Sequence, residues 1–190
     1  MPVTLDALNV ASEPEFVAAL GAIFEHAPWV AEAVAARRPF ASVEALFSAM
    51  REAVLAAPEA RRLALLRDHP ELAGRSARAG TIAAESIAEQ AAAGLDRLSE
   101  PEYARFAALN SAYREKFGFP FILCIKRHGR ASLLRQFEAR LSSDIARERE
   151  TAEAEVFRIA AIRLDALVTG EGRLRTTGRL STHVLDTVAG

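Results

Sequence analysis

The sequence of 190 residues is short of almost everything that would staple, charge or anchor a protein. Its single cysteine, Cys124, excludes an internal disulfide, and four histidines make a structural zinc site an unpromising expectation. Neither sign of charge prevails: 24 Lys+Arg stand against 25 Asp+Glu, and the net charge is -1. That balance gives no field to attract nucleic acid or an anionic membrane, so neither is expected as a partner. No stretch approaches the roughly 18 uninterrupted apolar residues of a membrane span. The opening segment, MPVTLDALNVASEPEF, has no basic region followed by an apolar run and does not read as a secretory signal. With the lone cysteine, these absences predict a cytoplasmic protein. Glycine (10) and proline (8) are sparse, whereas alanine, the strongest helix former, occurs 40 times. Hydrophobic residues at 51% beside charged residues at 26% describe a chain able to bury a core. The expectation is an all-α, single-domain bundle of about six to eight helices over residues 1–168.

Local signals divide that bundle. Ser12, Pro14 and Glu15 form a helix start with the capping-box offset, followed by Phe16, Leu20, Ile23 and Phe24 at helical spacing, with FEHAPWVAE closing the pattern around Pro28. A second helix reads from Ser42-Val43 to about Ala57, and a third carries Leu63, Leu65 and Leu66 and ends near His69-Pro70. After the polar stretch GRSARAGT a helix reopens around Ser86 and stops at Gly94. Glu100-Pro101 starts another that reaches Lys116. FGFPFILCIKR, apolar and broken by Gly118 and Pro120, predicts buried irregular backbone. Helices at Ser132–Leu141 and Ala146–Leu167 complete the set, with no convincing strand pair. TGEGRLRTTG, residues 169–178, reads as a linker, and RLSTHVLDTVAG, residues 179–190, as an isolated strand. One strand cannot satisfy its own backbone, so it is expected to dock on a partner or to open a further domain.

Three pieces could carry chemistry: RDHPELAG, SIAEQAAAGL and LNSAYREKFGFPFI. On a helix Ser86, Glu89 and Gln90 fall at i, i+3 and i+4, offering a hydroxyl, a carboxylate and an amide from one face. The same Ser-x-x-Glu spacing is equally a capping box. His69, at a helix end, could bring an imidazole for proton transfer, although a histidine before proline is more often a packing residue. Arg163 interrupts an apolar helix face; buried, it needs an anionic partner, and it reads otherwise as a solvated or structural ion-pair residue. Tyr103, Phe106, Tyr113 and Trp29 are simplest as core, and His26 and His128 as structural. These residues describe a helical domain with a polar pocket and do not by themselves define a reaction.

The segments FEHAPWVAE, HPELAG, ESIAEQAAAGL, LNSAYREKFGFPFI and EVFRIAAIRL, in this order, resemble the 2-oxo-4-hydroxy-4-carboxy-5-ureidoimidazoline (OHCU) decarboxylase family across nearly all of residues 1–168. The resemblance implies an all-helical, cofactor-free and usually dimeric enzyme that converts OHCU to (S)-allantoin in urate degradation. It implies His69 and Glu89 as catalytic residues, with Glu89 orienting His69. Pro70, Ser86, Gln90 and Arg163 are implied to bind substrate, with Arg163 on an anionic or carbonyl oxygen, and the backbone around Phe119, Phe121 and Ile122 to close the pocket. No metal is implied. LSTHVLDT looks like the first strand of a transthyretin-like 5-hydroxyisourate hydrolase, in which His183 would belong to that enzyme's site. The rest of that family's motifs do not occur in these residues, so hydrolase activity is not expected; a covalently linked hydrolase domain in a longer parent protein is. The competing readings are a silent helical module that binds a small ureide and a scaffold for the hydrolase domain.

Overall fold

A computed structural model describes residues 2–74, 79, 84–172 and 174. The Ser12/Glu15 box forms as its spacing predicts: the Glu15 carboxylate accepts from the Ser12 N–H at 2.8 Å and starts helix α2 (Glu13–Leu20). Ahead of it lie a two-residue strand, β1 (Val3–Thr4), and a six-residue helix, α1 (Leu5–Val10), capped by the Thr4 hydroxyl. Gly21 ends α2, and residues 21–28 are irregular, with His26 in the left-handed region at φ 51°. The pattern that the sequence closes at Pro28 instead reopens there: Pro28 caps α3 (Trp29–Ala35). Proline biases the residue before it away from the α region but suits a helix start, so the same residue ends one segment and begins the next.

Ser42 caps α4 (Val43–Ala56), Pro58 precedes α5 (Glu59–Arg67), and α6 spans Ala84–Ala92. A short 3₁₀ turn (Leu95–Arg97) leads to the Ser99/Glu102 capping box and α7 (Glu100–Phe117). The remaining helices are α8 (Arg130–Leu141) and α9 (Ile145–Leu167), the latter capped by Asp144 accepting from the Arg147 N–H at 2.9 Å. The fold is all-α, with nine α-helices among the described residues rather than six to eight. The unread helices are the short ones, α1 and α3, which span too few turns for a period to show.

One strand pair does exist, against expectation. β2 (Val168–Thr169) lies parallel to β1, with Val3 opposite Val168 and Thr4 opposite Thr169. Two residues per strand, brought together from opposite ends of the chain, leave no alternation to read. The Glu171 carbonyl also accepts from the Val43 N–H at 3.0 Å, and Leu174 packs on the core, so the packed body continues into the segment read as a linker from 169. The tail reading at 179–190, His183 included, lies outside the described residues, as does half of the linker.

Helix α9 packs against α4, α5 and α7 and forms the spine. Beside it, Tyr113 is ringed by Phe117, Phe119, Phe121 and Phe137 at centroid distances of 4.5 to 6.0 Å. Full burial of each such side chain contributes on the order of 1.5–3 kcal/mol. The Tyr113 hydroxyl and the Arg140 guanidinium both donate to the fully buried Glu148, and Arg140 also donates to the Ile122 carbonyl at 2.7 Å. Of the 117–127 run, residues 119–125 are buried or half-buried and largely irregular, as expected, whereas Gly118 and Lys126 are exposed. The backbone of the run is satisfied by side chains: Arg140 at Ile122, and Glu155, which accepts from the Cys124 N–H at 2.9 Å. Those two bonds fix where residues 123–126 stand.

Candidate functional site

A cavity of about 650 Å³ opens between α2, α6, α9 and residues 123–126, within the usual size range of small-molecule sites. Alanines create much of the room. Ala18, Ala19 and Ala22 face it from α2 and the turn after it, Ala88 and Ala92 from α6, and Ala166 from α9, where larger side chains would fill the space. Its polar wall comes from His69, Ser86, Glu89, Gln90 and Arg163, the residues singled out in the sequence, together with Glu85 and Lys126, and Pro70 lies beside His69. Among the described residues no three His, Cys, Asp or Glu side chains converge in a way that could hold a metal ion.

Arg163 is the centre of the polar wall. From α9 its Nε and Nη2 donate to the two oxygens of Glu89 at 3.0 and 2.9 Å, a bidentate pair. Nη2 also donates to the Ser86 hydroxyl at 3.0 Å, and Nη1 to Glu25 Oε2 at 2.7 Å. Ser86 Oγ in turn donates to that Glu25 oxygen at 2.8 Å. Of the two readings of Ser86, the cap is excluded by position, because α6 starts at Ala84 and Ser86 lies inside it. Arg163 is a buried ion-pair residue on the cavity, not a solvated one.

Glu25 escaped the sequence reading. It lies in the irregular segment after α2 with a side chain fully shielded from solvent. Burial alone would raise its pKa, but the hydrogen bonds from Arg163 and Ser86 and the charge of Arg163 outweigh that and hold it lowered. Burial works against Arg163 as well, and Glu89 and Glu25 overcome it to raise its pKa. The available signal was a carboxylate placed directly after Ile23-Phe24 in an apolar run, where a charge needs a buried partner.

His69 follows α5, its N–H donating to the Leu66 carbonyl at 3.3 Å. The ring is buried, and Nδ1 has no partner among the described residues. Burial pushes its pKa down to about 4; Glu25 opposes this, and the charges of Arg163 and His26 add to it. At neutral pH the imidazole is uncharged. The implied orientation of His69 by Glu89 is not what the geometry gives, since both Glu89 oxygens are taken by Arg163. A guanidinium forks onto a carboxylate more strongly than a neutral imidazole can, which is the physical reason for the exchange of partners.

Gln90 is also committed. Its Oε1 accepts from the Ala73 N–H at 2.9 Å and its Nε2 donates to the Glu71 carbonyl at 3.2 Å. With Asn110, which donates to the Leu72 carbonyl at 2.9 Å, it clamps the turn after His69-Pro70, where Ala73 is held at φ 53°. Phe119, Phe121 and Ile122 do not line the cavity. They are buried in the core, Phe121 stacked on Phe137 at 4.0 Å. Aromatic packing draws them inward, and the wall is made instead by the next residues, Leu123 to Lys126. Of these, Cys124 is half-buried with its thiol pKa raised, chiefly by burial.

The OHCU decarboxylase family model matches residues 9–165. The chain is 44% identical over 161 residues to the 2-oxo-4-hydroxy-4-carboxy-5-ureidoimidazoline decarboxylase of Haloferax volcanii, covering 85% of this chain and 94% of that one. It is 37% identical over 178 residues to the uric acid degradation bifunctional protein PucL of Bacillus subtilis, covering 94% of this chain and 35% of that protein. The crystal structure of an (S)-allantoin synthase superposes with a TM-score of 0.71 at 28% identity, over 87% of this chain and 54% of that one. With a family model spanning most of its length, a near full-length relative and a matching helical fold, the chain belongs to the OHCU decarboxylase family.

Proposed function

We propose that this chain catalyses the cofactor-independent decarboxylation of OHCU to (S)-allantoin, with His69 as its proton-transfer residue. One carbon of OHCU carries both a hydroxyl and the carboxylate, next to a ring C=N bond. The electron pair of the breaking C–CO2 bond moves towards that neighbouring carbon, and the C=N π pair moves onto nitrogen, which takes a proton. The substrate is therefore its own electron sink. The resulting enol gives up its hydroxyl proton to become a carbonyl, and the neighbouring ring carbon gains a proton on one face, which sets the (S) configuration. A base that is uncharged at neutral pH suits the hydroxyl proton. The observation that carries this reading is His69, a neutral imidazole on the wall of a cavity of substrate size. Glu89, Ser86 and Glu25 hold Arg163 in place. Four of the five guanidinium N–H groups are used on them, leaving one on Nη1 for a neutral substrate oxygen. Pro70 and Gln90 shape the turn that carries His69, and Phe119, Phe121 and Ile122 support the wall from behind.

The test is circular dichroism of OHCU made fresh from urate with a uricase and a separate hydroxyisourate hydrolase. The wild-type chain is expected to bring up the (S)-allantoin signal rapidly, and His69→Ala to lose about 10²–10⁴ in rate. A wild-type rate equal to spontaneous decay would retire the enzyme in favour of a ureide-binding module. A homodimer in the cytoplasm belongs to the same proposal, and the active species would sediment at about twice 20.6 kDa. So does a hydrolase domain linked beyond residue 190 in a parent protein. The LSTHVLDT resemblance supports it, and the Bacillus relative's name records a bifunctional protein of uric acid degradation.

A further inference from the structure

OHCU is an anion, and the decarboxylase reading, on which this inference rests, requires the site to receive its carboxylate. Arg163 is a poor receiver. Two carboxylates, Glu25 and Glu89, already surround its one positive charge, and a single N–H remains. His69 is uncharged at neutral pH. Without another cation, a substrate carboxylate would enter a cavity whose charged cluster is negative overall and would be repelled.

Among the described residues the other cation on the cavity wall is Lys126, in the 3₁₀ turn Ile125–Arg127. The chain has only two lysines. Lys116 is occupied, its ammonium donating to the Leu141 and Ser143 carbonyls at 2.6 and 2.8 Å. Lys126 is exposed and lines the cavity, and no carboxylate of the described residues pairs with it. An ammonium on a flexible stem is a point charge that can follow a carboxylate and then release it as CO2 departs. The turn that holds Lys126 is fixed from behind by the bond from the Cys124 N–H to Glu155.

We propose that Lys126 is the substrate-carboxylate anchor of this site, a binding and specificity residue that recognises OHCU and leaves the neutral product unheld. The experiment compares wild type, Lys126→Gln and Lys126→Arg in OHCU turnover and in calorimetric binding of (S)-allantoin. Lys126→Gln is expected to raise KM for OHCU about tenfold, the lower end for a charge-assisted hydrogen bond. The loss should fall on KM rather than kcat, Lys126→Arg should recover most of it, and all three should bind allantoin alike. An unchanged KM in Lys126→Gln overturns the inference. So does equal weakening of OHCU and allantoin, which would make Lys126 a structural or ring-binding residue. Absence of wild-type turnover fells the decarboxylase reading and this inference together, whereas the other two outcomes fell this one alone.

Discussion

At the scale of single residues, the depressed pKa of His69 links the site to pH. The unfolded chain protonates this histidine near 6.5, and the folded one near 4. Between those values the unfolded state binds the extra proton, so stability is lost as pH falls from about 6.5 towards 4 and the loss levels off below. Glu25, with its pKa lowered in the fold, adds a loss of the same sign at the acid end. The His69 part reaches about 3 kcal/mol. Urea unfolding at pH 7, 5.5 and 4 should show the decline, and His69→Gln should flatten it. An equal slope in the two proteins would refute a buried neutral imidazole. The acid limb of kcat/KM should likewise fall only towards pH 4.

Among the elements, α7 shows how a helix end directs a functional wall. Gly118 follows its last turn at φ 75°, the left-handed position that lets the chain leave the helix. Residues 119–122 then turn into the aromatic cluster, and 123–126 emerge at the cavity. A β-carbon at Gly118 would meet nothing within 4 Å, so the cost of Gly118→Ala is purely conformational. It should be about 1 kcal/mol, or roughly 2–4 °C in Tm. Asn, which tolerates the left-handed region, should lose less. An Asn variant as unstable as the Ala variant would show that something other than backbone conformation is at stake.

Across the whole molecule, the charged cluster ties distant parts of the chain. Glu25 and Arg163 are 138 residues apart in sequence, and their pair joins the segment after α2 to the spine helix α9. β1 and β2 close the same body at its two ends. Removing one partner of a buried pair leaves the other charge unpaired, so Glu25→Gln should cost about 3 kcal/mol in urea unfolding, the lower end because Glu89 still holds Arg163. Glu89 has a third of its side chain in solvent, and Glu89→Gln should cost less. If the two variants were equally stable, Glu25 would not be the keystone of the cluster.

Local chemistry by itself determined the helical class, most helix limits, the irregular 117–127 run and five of the residues that meet on the polar wall. Ser12/Glu15, Ser99/Glu102 and the run of apolar spacings act within a few residues of themselves, and such signals are written in sequence order. Ser86, Glu89 and Gln90 were legible as one face because helical geometry fixes them together. Tertiary structure alone decided who pairs with whom. Glu89 could have served His69 or Arg163, and only their arrival in one desolvated space let the stronger bidentate pair win. Glu25 became a partner only once α9 crossed it, and β1 found β2 only when the ends met. Phe119 and Phe121 turned away from the cavity because Tyr113 and Phe137, on the helices before and after them, form the aromatic cluster that takes them in, a meeting of two helices that the period of neither records.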